Sequence, residues 1–206
     1  MKSVRSLVVL GTLFTCSICV FAQGVASKKV VEQTVKGGII TLYALDPLAQ
    51  SFCFRDAGNG HVFQQHEVRN RCSDINYNSY NAEQFAVGIE GGRLGSIVDL
   101  GSTEDLKKEY GYEETVGGGQ GFASVHLEDG KVVILQDRAE RVMQDLKEST
   151  QLFAQPAAVA IAPVKIGHVY MARITDRFDS SFQLLVKLLV IGHAPGESVT
   201  FRWQTL

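Results

Sequence analysis

Residues 71–85, RCSDINYNSYNAEQF, gather the side chains best suited to hold a ligand. Asp74, Asn76 and Asn78 follow an Asp-X-Asn-X-Asn spacing, the way calcium loops present their first oxygen ligands. Two positions depart from that pattern: Ser79 stands where the sharp turn needs glycine, and Phe85 where a bidentate glutamate closes the shell. Strand alternation gives the same spacing, with Asp74, Asn76 and Asn78 on a wet face and Ile75 and Tyr77 facing inward. The stretch is therefore not read as a metal site. Tyr77 and Tyr80 offer ring faces, and Asp74, Asn76, Asn78 and Asn81 offer donors and acceptors, a mixture that suits a glycan or a protein surface. These six are the candidate ligand-binding residues. The structural alternative is a strand end followed by an Asx-rich turn.

Elsewhere the catalytic patterns are broken. His66-Glu67 begins like a zinc-protease helix, but Asn70 occupies the place of the second histidine, and His61 and His66 have opposite strand parity. Gly117-Gly118-Gly119-Gln120-Gly121 lacks the Lys-Ser/Thr of a phosphate loop and precedes a strand, so it reads as a flexible loop. No serine sits in a Gly-X-Ser-X-Gly elbow, and no pattern requires a metal or other cofactor. A carboxylate pair for glycoside hydrolysis is a three-dimensional fact that the sequence does not single out.

Compartment is more legible. Lys2 and Arg5 precede an apolar run from Leu7 to Val20 that ends at Ala22, the layout of a secretory signal peptide cleaved near Ala22. The run is short of the roughly 20 apolar residues of a membrane span, and no later segment reaches that length. Lipoprotein anchoring at Cys16 is the lesser alternative. Cleavage leaves Cys53 and Cys72, which in a secreted or periplasmic protein are expected to pair. It also removes two of the 20 basic residues against 22 acidic ones, so neither nucleic acid nor an anionic membrane is expected as partner.

The elements that must position any site are mostly strands. Val199, Phe201 and Trp203 alternate with Thr200, Arg202 and Gln204, a strand with one wet face and Trp203 in the core. Residues 182–190 and 167–175 are strands too, with Ala194-Pro195-Gly196-Glu197 as a turn, so the C-terminal quarter reads as a three-stranded meander. Hairpins are expected around Asp129-Gly130, around Gly37-Gly38, and around Gly58-Asn59-Gly60. Ser102 with Asp105 caps a short helix that stops at Gly111, and Asp137 with Glu140 predicts a second helix running towards Pro156. Residues 157–166, interrupted by Pro163, read as an edge strand or connector.

The expectation is a mainly β chain: a signal peptide over 1–22, then a single antiparallel β-sandwich or barrel-like domain over 23–206 with one or two short helices. The expected role is non-catalytic binding of an unknown glycan or protein partner outside the cytoplasm. The rivals are a secreted hydrolase and a structural component of a cell envelope bound through an exposed strand edge.

Overall fold

The computed structural model describes residues 36–47, 49–60, 73–79, 82–88, 93–111, 122, 124–137, 139–153 and 159–206. The chain divides into units 1–33 and 34–206, and every described residue lies in the second. The signal-peptide segment, Cys72, Tyr80, Asn81, His61, His66 and the 117–121 glycines lie outside the described residues.

The central sheet has five antiparallel strands in the order β1 (Gly37–Tyr43), β13 (Ser198–Thr205), β12 (Gln183–Ala194), β11 (His168–Asp176) and β6 (Arg93–Ser102). The meander is its heart: β11 pairs with β12 and β12 with β13, turning through Gly196 at φ 71. A second five-stranded sheet runs β10 (Ile161–Pro163), β5 (Gln84–Val87), β4 (Ile75–Tyr77), β2 (Ser51–Cys53) and β3 (Gly58–Asn59). A three-stranded sheet follows the order β7 (Val125–Glu128), β8 (Lys131–Asp137), β9 (Val142–Asp145). All sheets are antiparallel and open, so the architecture is a sandwich and no closed barrel forms among the described strands.

The central sheet is covered on both faces. Leu184, Val186, Leu188 and Val190 of β12 share one core with Phe52, Ile75, Tyr77 and Phe85 of the second sheet. Leu189, with Val169 and Met171 of β11, belongs to a separate core beneath Leu106 and Tyr110 of helix α1 (Thr103–Tyr110), Val125, Val132 and Ile134 of the small sheet, and Leu152. This double burial explains why β12 is apolar on both parities, as strands buried on two faces are. Strands β13 and β1 extend beyond this cover, and their outward residues Thr200, Arg202 and Gln204 are only half-buried.

Three expectations shift. The second helix does not start at Asp137: Asp137 Oδ1 accepts the N–H groups of Ala139 and Glu140 at 2.8 and 3.3 Å, closing an Asx turn, and Arg141 at φ 52 sends Val142 back to pair with Asp137. A capping carboxylate serves a turn as well as a helix, and only Lys147–Phe153 winds, as a 3₁₀ helix. Gly37 and Gly38 lie inside β1, opposite Gln204 and Trp203, where added Cβ atoms would stand 3.0 Å from Trp203 O and 3.3 Å from Trp203 Nε1. They serve close strand approach, not a turn. The 51–60 hairpin turns earlier than expected, at 54–57, so that Gly58 and Asn59 pair back onto Cys53 and Phe52. The Ser102 cap is found as expected: its Oγ accepts the Asp105 N–H at 3.1 Å, and Gly111 ends the helix in the left-handed region at φ 65. Residues Ile161–Pro163 form the edge strand β10.

Candidate ligand-binding cleft and polar sites

The acidic-amide stretch is an interior element. Asp74, Asn76, Tyr77 and Asn78 are all buried, because β4 is the middle strand of the second sheet. Their polar atoms meet partners inside the protein. Asp74 Oδ2 accepts the Phe54 N–H at 2.9 Å, Asn76 Oδ1 the Ser73 hydroxyl at 2.8 Å, and Asn78 Oδ1 the Glu83 N–H at 3.0 Å. Asn78, at φ 60, starts the connection to β5, a left-handed position that asparagine tolerates. The Tyr77 hydroxyl lies 2.9 Å from His193 Nε2, and burial together with the charge of Glu83 pushes its pKa up, against an opposing backbone contact from Gly196.

Asp74 also faces Arg93, whose Nε stands 3.0 Å from Oδ1 as an ion pair out of line for a hydrogen bond. Arg93 Nη1 donates to Asp176 Oδ2 at 2.9 Å, and the Phe182 ring covers the guanidinium at 3.9 Å. Burial raises the Asp74 pKa, an effect that Arg93 and the Phe54 N–H partly offset. Two carboxylates are thus brought together, but around a buried guanidinium. The triad ties β6 and β11 of the central sheet to the start of β4 in the other. No group of three or more His, Cys, Asp or Glu side chains is placed to share a metal ion among the described residues.

A second polar cluster occupies the opposite end of the central sheet. The register between β6 and β11 shifts between Val169 and Tyr170, so Asp99 pairs with Tyr170 while Ser102 pairs with His168. This bulge puts Asp99 on the same side as His168, re-aiming a side chain as bulges do. Asp99 Oδ1 lies 2.8 Å from His168 Nδ1 and accepts the Gly101 N–H at 2.9 Å, while Oδ2 accepts from Lys165 Nζ at 3.1 Å. Burial works to raise the Asp99 pKa, but hydrogen bonds from His168, Gly101 and Lys165 outweigh it and hold the carboxyl low. His168 Nε2 has no hydrogen-bond partner among the described residues and is not a buried atom. The Ser102 hydroxyl is engaged with Asp105 Oδ2 at 2.6 Å.

A concave feature lies where the cover of the central sheet ends. A cleft of about 300 Å³ is lined, among the described residues, by Gly37, Gly38, Ile39, Phe122, Arg202, Trp203 and Gln204. That volume is at the lower end of small-ligand pockets, which run from about 300 to 1,000 Å³. Its wall is fixed from behind. Lys187, the one charged residue in β12, is 2% exposed and donates to the carbonyls of Phe122 and Val125 at 2.6 and 2.7 Å. Burial, helped by the charge of Arg202, lowers the Lys187 pKa to about 7. Phe122 carries the Arg202 guanidinium 4.7 Å from its ring centroid. The ring and cation therefore form one rigid side of the cleft. Sequence reasoning misses this site because Phe122 and Arg202 belong to distant segments; the signal in the sequence is Lys187, a lysine standing alone in an apolar strand.

No protein-family model, curated protein or solved structure matches this chain.

Proposed function

We propose that the protein is a non-catalytic binding domain, exported by its N-terminal signal segment, whose ligand enters the cleft beside Phe122 and Arg202. The supporting observation is the composition of that cleft. It joins a ring, an aliphatic side chain, a guanidinium, an amide and exposed glycine backbone, and among the described residues none of its lining side chains is a carboxylic acid, an imidazole, a hydroxyl or a thiol. Such a lining recognises a molecule without reacting with it. The glycan or protein partner expected from the Tyr/Asn stretch is reassigned here to the cleft, because the described members of that stretch are buried. The experiment is a calorimetric titration of glycan and peptide panels, because the Trp203 ring is buried against Phe52 and Phe54 on the sheet face away from Arg202. Binding predicts a saturable heat that Ile39→Asp, at a position 65% exposed beside the cleft, weakens. A panel that gives no saturable heat rejects the reading.

The hydrolase reading finds its support in Asp99 and His168, not in a carboxylate pair. A carboxylate that orients an imidazole with its other nitrogen open is an arrangement used in general-base catalysis. His168→Asn should abolish ester or glycoside hydrolysis if this reading holds, and activity unchanged in that variant discards it.

A further inference from the structure

We propose that the outer edge of β1 is an interface for a second copy of this chain, the two β1 strands pairing antiparallel about a twofold axis at Ile39. β1 is the terminal strand of the central sheet and pairs only with β13 among the described strands. Backbone contacts fix which of its groups are committed. The Thr205 N–H donates to Lys36 O and the Ala44 N–H to Glu197 O, both at 2.8 Å, so even-numbered residues bond to β13 and odd-numbered ones turn their N–H and C=O groups outward. Tyr43 is already used: its N–H goes to Ala49 O at 3.1 Å, and its carbonyl accepts the Asp46 N–H at 3.3 Å. Gly37, Ile39 and Thr41 are left with outward groups that no described strand takes.

This set selects its own partner. A twofold through Ile39 sets Ile39 opposite Ile39 and Gly37 opposite Thr41, so all three residues exchange hydrogen bonds and Tyr43 is not needed. Moving the axis by one residue turns Gly37 onto the occupied Tyr43, or Thr41 past the start of the strand. The Ile39 register also sets Gly38 opposite Ile40, so each glycine meets a β-branched side chain across the interface. A twofold brings every charge near its axis against its like, and GGIITLY holds neither charge nor proline, the devices by which sheet edges normally refuse another strand. The neighbouring Lys36 turns its amine to Arg55 O at 2.6 Å. Gly37, Gly38 and Ile39 are exposed, and pairing would bury the Ile39 side chain that the monomer leaves in water. The pairing needs no ligand, so it stands apart from the cleft reading.

The test is sedimentation velocity of the protein over about a hundredfold range of concentration, with hydrogen exchange followed at the 37–41 amides. Monomer should give way to dimer as concentration rises, and exchange at Ile39 and Thr41 should slow as it does. Ile39→Lys and Ile39→Glu, at an exposed position, should each weaken the dimer about tenfold, because the axis sets like charges opposite each other. Mixing the two variants should restore it. A protein monomeric at every concentration overturns the proposal, as does a dimer that survives both variants or a mixture that fails to pair. Exchange at Ile39 and Thr41 that slows only when an alternating valine-threonine peptide is added also overturns it, and assigns the edge to a foreign strand.

Discussion

Replacing Lys187 by methionine keeps an unbranched side chain, one atom shorter, while removing a buried amine, and its effect should grow with pH. The Lys187 pKa falls from 10.5 unfolded to about 7 in the fold, chiefly through burial. Between those values the unfolded chain binds the extra proton, so stability rises with pH across that window at up to about 1.4 kcal/mol per pH unit. Below about pH 7 both states are protonated and the slope vanishes. The whole interval is worth on the order of 4 to 5 kcal/mol, reduced to the extent that the two carbonyls favour the ammonium. Against this, Lys187→Met leaves the Phe122 and Val125 carbonyls without their donor, at a cost of about 1 to 3 kcal/mol each. The variant should therefore lie closest to wild type at or below pH 7 and fall progressively behind it towards pH 10. Urea unfolding followed by Trp203 fluorescence from pH 6.5 to 10, on both proteins, gives the difference directly. A difference that stays constant with pH would refute the reasoning, because it would mean that the amine keeps its proton between the two carbonyls.

Three further outcomes are expected. Arg93→Met should destabilise the fold by about 3 to 5 kcal/mol in chemical denaturation, because it leaves Asp74 and Asp176 buried without their cation; a loss under about 1 kcal/mol would deny the triad its role. Gly95→Ala should cost about 1 to 3 kcal/mol in the same assay, since its Cβ would lie 2.4 Å from Val87 Cγ1 and 2.9 Å from Arg173 O, and an unchanged midpoint would show that the two sheets can part there freely. The proposed Cys53–Cys72 bond predicts that intact mass after alkylation changes only when a reductant is added; two alkylated thiols in the native protein would reject it.

What was legible followed from local rules. Val199, Phe201 and Trp203 alternate with polar neighbours and the Pro195-Gly196 turn precedes them, so β13 and the meander could be read from the chain alone. The short helix was readable because Ser102, Asp105 and Gly111 each act on backbone groups within a few residues. Asp137 misled because its side chain caps an Asx turn as readily as a helix, and the outcome depended on Arg141 adopting a positive φ. Gly37 and Gly38 resembled a turn, yet they answer to Trp203, a residue far along the sequence. The expected wet face of β4 failed for a related reason. Asp74, Asn76 and Asn78 were expected on a wet face, and whether a strand has one depends on what covers it. The six-residue site also extends to Tyr80 and Asn81, beyond the described residues. The cleft was invisible because Phe122, Arg202 and Gly37 meet only once the central sheet is assembled.

The most direct test of binding at the cleft is a calorimetric titration of the glycan and peptide panels against wild type and Ile39→Asp in parallel. Cleft binding predicts saturation in the wild type and a weaker curve in the variant. Superimposable curves, or a flat response in both, would contradict it.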